Sequence, residues 1–126
     1  MNQEKTMHRE KLSGVFAPVT TSFDDRGNLL PDRMGFNIQK LNSSRLRGYL
    51  VLGTNGEFRS LSTAEQMEVL KIVVKAASPD KVIMAGTGAE STHGSVELCH
   101  QAAEVGAHYG SLITRSFLPK RCLIAP

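Results

Sequence analysis

Four short apolar runs punctuate the chain: Val15-Phe16-Ala17, Tyr49-Leu50-Val51-Leu52, Val82-Ile83-Met84-Ala85 and a weaker Ser111-Leu112-Ile113. They start at residues 15, 49, 82 and 111, so they lie 34, 33 and 29 residues apart. Each is β-rich and lacks polar alternation, as expected of strands covered on both faces. Helical periodicity fills the stretches between them. Met34, Ile38 and Leu41 follow Pro31 at i, i+4 and i+7 spacing, and proline suits a helix start. Ser62 and Glu65 form a Ser-x-x-Glu capping box, behind which Met67, Leu70, Val74 and Ala77 line one face until Pro79. A third helix is predicted from about Thr92 to Val105, with Val96, Cys99, Ala103 and Val105 on its apolar side and Gly106 at its end.

The predicted order is β-α-β-α-β-α-β. One strand and one helix per repeat of about 30 residues point to an α/β fold with a parallel sheet and right-handed crossovers. A doubly wound open sheet and part of a (β/α)₈ barrel both fit. In either, the segments that follow the strands gather at one end of the sheet and form the site. Here they are Thr20-Thr21-Ser22-Phe23, Gly53-Thr54-Asn55-Gly56-Glu57, Gly86-Thr87-Gly88-Ala89-Glu90-Ser91 and Thr114-Arg115-Ser116. All are rich in Gly, Thr and Ser, unlike the connectors that precede strands.

The loop at 53–57 carries the most chemistry. Its two glycines allow close approach of a ligand to the backbone. Thr54 and Asn55 bring a hydroxyl, an amide and two N–H groups suited to a small carboxylate or phosphate. Composition alone leaves a plain βα turn equally open. The Gly86-x-Gly88 loop begins like a dinucleotide fingerprint, but Ser91 stands where Gly or Ala is expected and the loop follows the third strand, not the first. It is a weak basis for a nucleotide-binding reading. His8, His93, His100 and His108 lack the partners of a metal set and are expected at the surface. Lys40, Lys71 and Lys75 fall on helices and Lys81 in a connector. All four read as solvated, and none is placed to act as a nucleophile.

Composition narrows the picture further. The 126 residues are 40% hydrophobic and 21% charged, as in an ordinary globular domain. A surplus of three positive charges is scattered, and aromatics make up 6% with no Trp, so nucleic acid is not an expected partner. No apolar run is long enough for a membrane span. Cys99 and Cys122 are expected as free thiols in a reducing compartment, and no metal or cofactor is implied. The first twelve residues, with Lys5, Arg9, Lys11, Glu4 and Glu10, lack a secretory signal's apolar core and read as a mobile polar tail. The cytoplasm is the expected location, with a mitochondrial one left open.

Taken together, linked segments carry a resemblance. Gly14 to Phe23, Gly48 to Phe58, Leu61-Ser62-Thr63-Ala64-Glu65-Gln66, Ala85 to Thr92 and Ala102-Ala103-Glu104-Val105-Gly106-Ala107 are similar, in order and spacing, to the dihydrodipicolinate synthase and N-acetylneuraminate lyase family of pyruvate-dependent class I aldolases. The resemblance implies a (β/α)₈ TIM barrel and Schiff-base lyase chemistry on pyruvate or a related 2-oxo acid, in dimers or tetramers. It implies that Thr54 and Asn55 bind the substrate carboxylate. Asn at position 55 tilts the branch slightly toward 4-hydroxy-2-oxoglutarate aldolases. The family's nucleophilic lysine ends its sixth strand and a relay tyrosine its fifth, so neither has a counterpart among these residues. After the fourth strand, Thr114-Arg115-Ser116-Phe117-Leu118 departs from the family's Thr-Pro-x-Tyr-Tyr-like segment, and Ser22 replaces the usual proline of Thr-Pro-Phe.

The resulting expectation is a partial barrel over residues 13–114, a polar tail over 1–12 and a divergent tail over 115–126. Truncation, alternative splicing or a frameshift would each account for such a chain. Half a barrel leaves its first and fourth strands as open edges and is expected to expose interior side chains of Leu50, Leu52, Ile83 or their neighbours. Alone, the chain is expected to lack aldolase activity, to have no catalytic residue of its own, and to associate with itself or with a full-length homologue. The alternative is a non-catalytic interaction module that docks on such a subunit.

Overall fold

The computed structural model describes residues 2–113. The 115–126 tail, Cys122 and the Thr114 to Leu118 segment lie outside them. Helix α1 (Asn2–Lys11) leads into strand β1 (Phe16–Pro18), followed by α2 (Pro31–Asn42), β2 (Gly48–Val51), α3 (Thr63–Ala76), β3 (Val82–Gly86), α4 (Thr92–Val105) and β4 (Tyr109–Ser111). Two short 3₁₀ turns, Thr54–Gly56 and Phe58–Ser60, connect β2 to α3. The strands form one parallel sheet in the order β1-β2-β3-β4. Sequential order with a helix over every crossover is the arrangement of a partial (β/α)₈ barrel. A doubly wound sheet would reverse its strand order.

The register explains the apolar runs. Ala17, Tyr49 and Ile83 share one row, and Val51 stands opposite Ala85. Tyr49, Val51, Ile83 and Ala85 are buried against Met34 and Ile38 of α2, Val69, Leu70 and Val73 of α3, and Ala102 of α4. The alternate rows, Phe16-Gly48-Val82 and Pro18-Leu50-Met84-Tyr109, face the other side. Leu50 and Met84 are half-buried there. The expected exposure of interior residues is thus met only in part at Leu50 and its neighbour Met84, and not at the other two. Ile83 is buried under the helices, and Leu52, past the end of β2, is also buried.

Helix phases differ from those read in the sequence. In α3 the buried stripe is Val69, Leu70 and Val73, with Met67 and Val74 half-buried at its margins. Apolar residues crowd most of that helix, so spacing alone leaves its rotation open. In α4 Ala102 is buried and Cys99 half-buried, but Val96 and Ala103 face solvent. The first twelve residues, read as a mobile tail, contain α1 instead. It is tied down where Arg47 Nε donates to the Lys11 carbonyl at 2.9 Å and His8 Nδ1 lies 2.9 Å from the Tyr109 hydroxyl.

Polar groups brace the end of the sheet where the strands begin. Lys81, read as solvated, is 6% exposed. Its ammonium donates to the carbonyls of Ser44 and Leu46 at 3.1 and 3.0 Å and lies 3.4 Å from the Asp80 carboxylate. Asn42 donates to the Ala76 carbonyl at 2.8 Å and accepts from the Tyr49 hydroxyl and the Ser78 N–H. Burial pushes the Tyr49 phenol above its ordinary range, and the Asp80 charge adds to the shift.

Candidate functional site

The Gly- and Thr-rich segments converge at the opposite end, where the strands finish. The loop after β2 turns sharply. Leu52 and Glu57 both adopt left-handed backbone, with φ of 61° and 54°. A non-glycine residue at positive φ is uncommon and is kept only where its surroundings fix it. The loop is fixed from β1 by the buried Thr21, whose hydroxyl donates to the Gly56 carbonyl at 2.7 Å. Position 56 favours glycine, since a Cβ there would stand 3.0 Å from the Val19 carbonyl, a tight contact that the neighbouring backbone would have to relieve. Gly86 is more constrained still, because its Cβ would fall 2.0 Å from the Leu52 carbonyl.

Within the first 3₁₀ turn, the Gly56 N–H bonds to the Gly53 carbonyl and the Glu57 N–H to the Thr54 carbonyl. The N–H groups of Thr54 and Asn55 take no part in those bonds. Both residues are exposed, and neither side chain has a hydrogen-bond partner among the described residues.

The loop after β3 is held just as closely. Thr87 is buried, donates its N–H to the Ser111 carbonyl at 3.0 Å, and accepts from the Cys99 thiol at 3.2 Å. Ser95 Oγ accepts from the Ala89 N–H, and Ser91 caps α4 by accepting from Gly94. Arg59 and Glu90 reach toward each other from the two loops at 4.0 Å.

Between these loops lies a recess of about 110 Å³ on the side of the sheet away from the helices. Leu50, Leu52, Phe58 and Ile113 supply apolar walls. Gly53, Gly86 and Gly88 supply bare backbone, and Thr54 and Ser111 supply hydroxyl groups. The recess is smaller than an ordinary ligand pocket, and its apolar walls with a few polar groups suit a fragment of only a few heavy atoms. Of the two site residues expected from sequence, Thr54 lines the recess. Asn55 sits beside it on the same turn and is not part of the wall.

Sequence reasoning missed Ser111 and Phe58. Ser111 was legible only as a strand residue, although its register opposite Gly86 places it in the row that borders the recess. Phe58 is positioned by Gln66 of α3, whose amide donates to its carbonyl at 3.0 Å, a link that spacing does not reveal.

The lysines stand elsewhere. Lys40, Lys71 and Lys75 lie on α2 and α3, and Lys81 lies in the connector just before β3. Among the described residues no three His, Cys, Asp or Glu side chains converge on a metal position, and no helix is long and apolar enough to cross a membrane.

Comparison with known proteins gives consistent results. Residues 11–120 match the model of the dihydrodipicolinate synthetase family. A 4-hydroxy-tetrahydrodipicolinate synthase of Methanothrix thermoacetophila is 38% identical over 101 residues, covering 80% of this chain and 34% of the relative. Among solved structures, a dihydrodipicolinate synthase family protein from Coccidioides immitis is 32% identical, with a TM-score of 0.79 over 84% of this chain and 35% of that one. The YagE protein of E. coli K12, of the same family and solved in complex with pyruvate, has a TM-score of 0.79 over 85% of this chain and 36% of its own. At 24% identity that last likeness is one of fold. The chain spans about a third of the length of the relatives it matches.

Proposed function

The chain belongs to the dihydrodipicolinate synthetase family, and from that premise we propose that it supplies the carboxylate-binding part of a lyase site for pyruvate or a related 2-oxo acid. The observation that carries this reading is the recess where the Thr54 hydroxyl meets the bare backbone of Gly53, Gly86 and Gly88. Thr54 would donate its hydroxyl to one carboxylate oxygen. The N–H groups of Thr54 and Asn55, left over from the turn, would meet the other. Leu50, Leu52 and Ile113 would cover the substrate's carbon chain. The complex of the YagE protein with pyruvate supports the substrate class, and Asn55 favours the 4-hydroxy-2-oxoglutarate branch within it.

Schiff-base chemistry needs a desolvated amine beside the substrate carbonyl. Lys40, Lys71 and Lys75 are across the core from the recess, and the Lys81 amine is engaged with two carbonyls at the far end of the sheet. The 126-residue chain is therefore proposed to bind without catalysing, and the amine to come from outside the described residues.

Titration of the chain with pyruvate, followed by NMR of its backbone amides, tests the reading. Shifts are expected at residues 53–56 and 86–88, with no adduct after borohydride treatment. Unperturbed amides there would remove the assignment of the recess, and a covalent adduct on Lys40, Lys71, Lys75 or Lys81 would overturn the catalytic part.

A second reading is favoured by the sheet edges. Val15 before β1 is 68% exposed, and Leu112 and Ile113 after β4 are 63% and 52% exposed. Apolar residues of that size at open edges suit an interaction module that joins another family barrel.

A further inference from the structure

We propose that Ser111 recognises the 2-oxo group, its hydroxyl donating to the carbonyl oxygen of a short 2-oxo acid whose carboxylate lies at Thr54. The inference deepens the binding reading above and rests on it. The wall of the recess carries two polar side chains, Thr54 and Ser111, and is otherwise apolar or glycine. Neither hydroxyl has a hydrogen-bond partner among the described residues. The neighbouring hydroxyls are all engaged. Thr21, Ser91 and Ser95 are bonded to loop backbone, and Thr87 accepts from the Cys99 thiol.

A 2-oxo acid brings two polar groups, a carboxylate and the carbonyl beside it. The turn at Thr54 and Asn55 accounts for the first. The carbonyl oxygen then enters a recess walled by Leu50, Leu52, Phe58 and Ile113, where a carbonyl taken from water without a donor is costly. Ser111 is the remaining donor side chain of the wall. No titratable side chain lines the recess, so nothing there takes the Ser111 proton, and the hydroxyl serves as a donor and not as a nucleophile.

The fold aims and holds this hydroxyl. A Cβ on Gly110 would stand 3.0 Å from the Thr87 hydroxyl and 3.4 Å from Cys99 Sγ, so that position faces α4. Alternation along the strand turns Ser111 to the recess side. Its carbonyl accepts from the Thr87 N–H at 3.0 Å, and it stands opposite Gly86 in the ladder. With no side chain, Gly86 lets the Leu52-Gly53 backbone lie over it, where a Cβ would fall 2.0 Å from the Leu52 carbonyl. The Thr54 turn is thereby drawn over β3 towards β4, and the two hydroxyls share one recess of about 110 Å³. Ile113 packs on Gly88 in the same way, its Cγ1 lying 2.9 Å from where a Cβ would be.

Pyruvate and propionate provide the test, since they differ at the second carbon, a carbonyl in one and a methylene in the other. Each is titrated into the full chain and into Ser111→Ala, with affinity read from backbone amide shifts. The unsubstituted chain is expected to bind pyruvate about fivefold more tightly than propionate, the effect of one neutral hydrogen bond. Ser111→Ala is expected to abolish that preference by weakening pyruvate while leaving propionate unchanged. A loss shared equally by both ligands would mean a structural role for Ser111, and a preference that survives in Ser111→Ala would mean another donor. Either would overturn the proposal and leave the carboxylate site at Thr54 standing. Equal affinities in the unsubstituted chain would overturn it without any variant, which keeps the test valid should Ser111→Ala fail to fold. Amides at 53–56 that respond to neither ligand would remove the recess assignment, and this proposal with it.

Discussion

The two ends of this sheet use their polar side chains in opposite ways. Where the strands begin, polar side chains are committed to the backbone. Lys81 holds two carbonyls, Asn42 joins α2 to the turn after α3, and Arg47 holds the end of α1. Where the strands finish, Thr21, Thr87 and Ser95 hold the loops, but Thr54 and Asn55 project from a finished turn with no partner among the described residues. Polar groups bound to backbone support stability, and those held by a rigid loop without a partner are available to a ligand. The division matches the general one between the stabilising and active faces of (β/α)₈ barrels.

The largest effect expected from breaking this contrast is at Lys81. Lys81→Met removes both charge-assisted bonds and leaves two carbonyls short of donors. It is expected to destabilise by about 3 kcal/mol in urea unfolding. Asn42→Ala opens the same end less completely, at about 2 kcal/mol by the same measurement, because water reaches part of the gap. At the other end, Ser62→Ala removes the α3 cap and is expected to cost about 1 kcal/mol.

Acid sharpens that last comparison. The Ser62 hydroxyl and N–H hold the Glu65 carboxyl below its ordinary value of 4.5. A carboxyl whose value is lowered in the folded state stabilises fully above its ordinary value. That stabilisation is lost as pH falls through the lowered one. Melting curves of the chain and of Ser62→Ala are thus expected to lie furthest apart above pH 4.5 and to converge on further acidification. A gap that widens in acid would contradict the capping box as its source.

Much of this architecture can be read from the sequence. The recurrence of Val15, Tyr49, Val82 and Ser111 locates the strands within a residue or two, and Ser62 with Glu65 marks the start of α3. Which face of each strand is covered cannot be read the same way. With apolar residues on both faces, Ile83 and Met84 look alike until the register is known, and Ile83 proves to lie under the helices. The rotation of α3 is legible only in part for a related reason, since Ile72, Val73 and Val74 are consecutive and satisfy several phases; Leu70 is buried as expected, while Met67, Val74 and Ala77 only flank the core. Lys81 escaped because its partners, Ser44 and Leu46, come close only when β2 and β3 pair. In the site, Thr54 was legible from its glycine-flanked loop, whereas Ser111 and Phe58 belong to the recess through tertiary placement.

One variant tests the assignment of the site most directly. Thr54→Val keeps the shape of the side chain and removes its hydroxyl. Stability is expected to stay within about 0.5 kcal/mol, because the group supports no backbone contact. Pyruvate affinity by isothermal titration is expected to fall about tenfold or more, the loss of one hydrogen bond to a charged group. An unchanged affinity with a clear loss of stability would contradict it, and would make Thr54 a structural residue like those at the other end of the sheet.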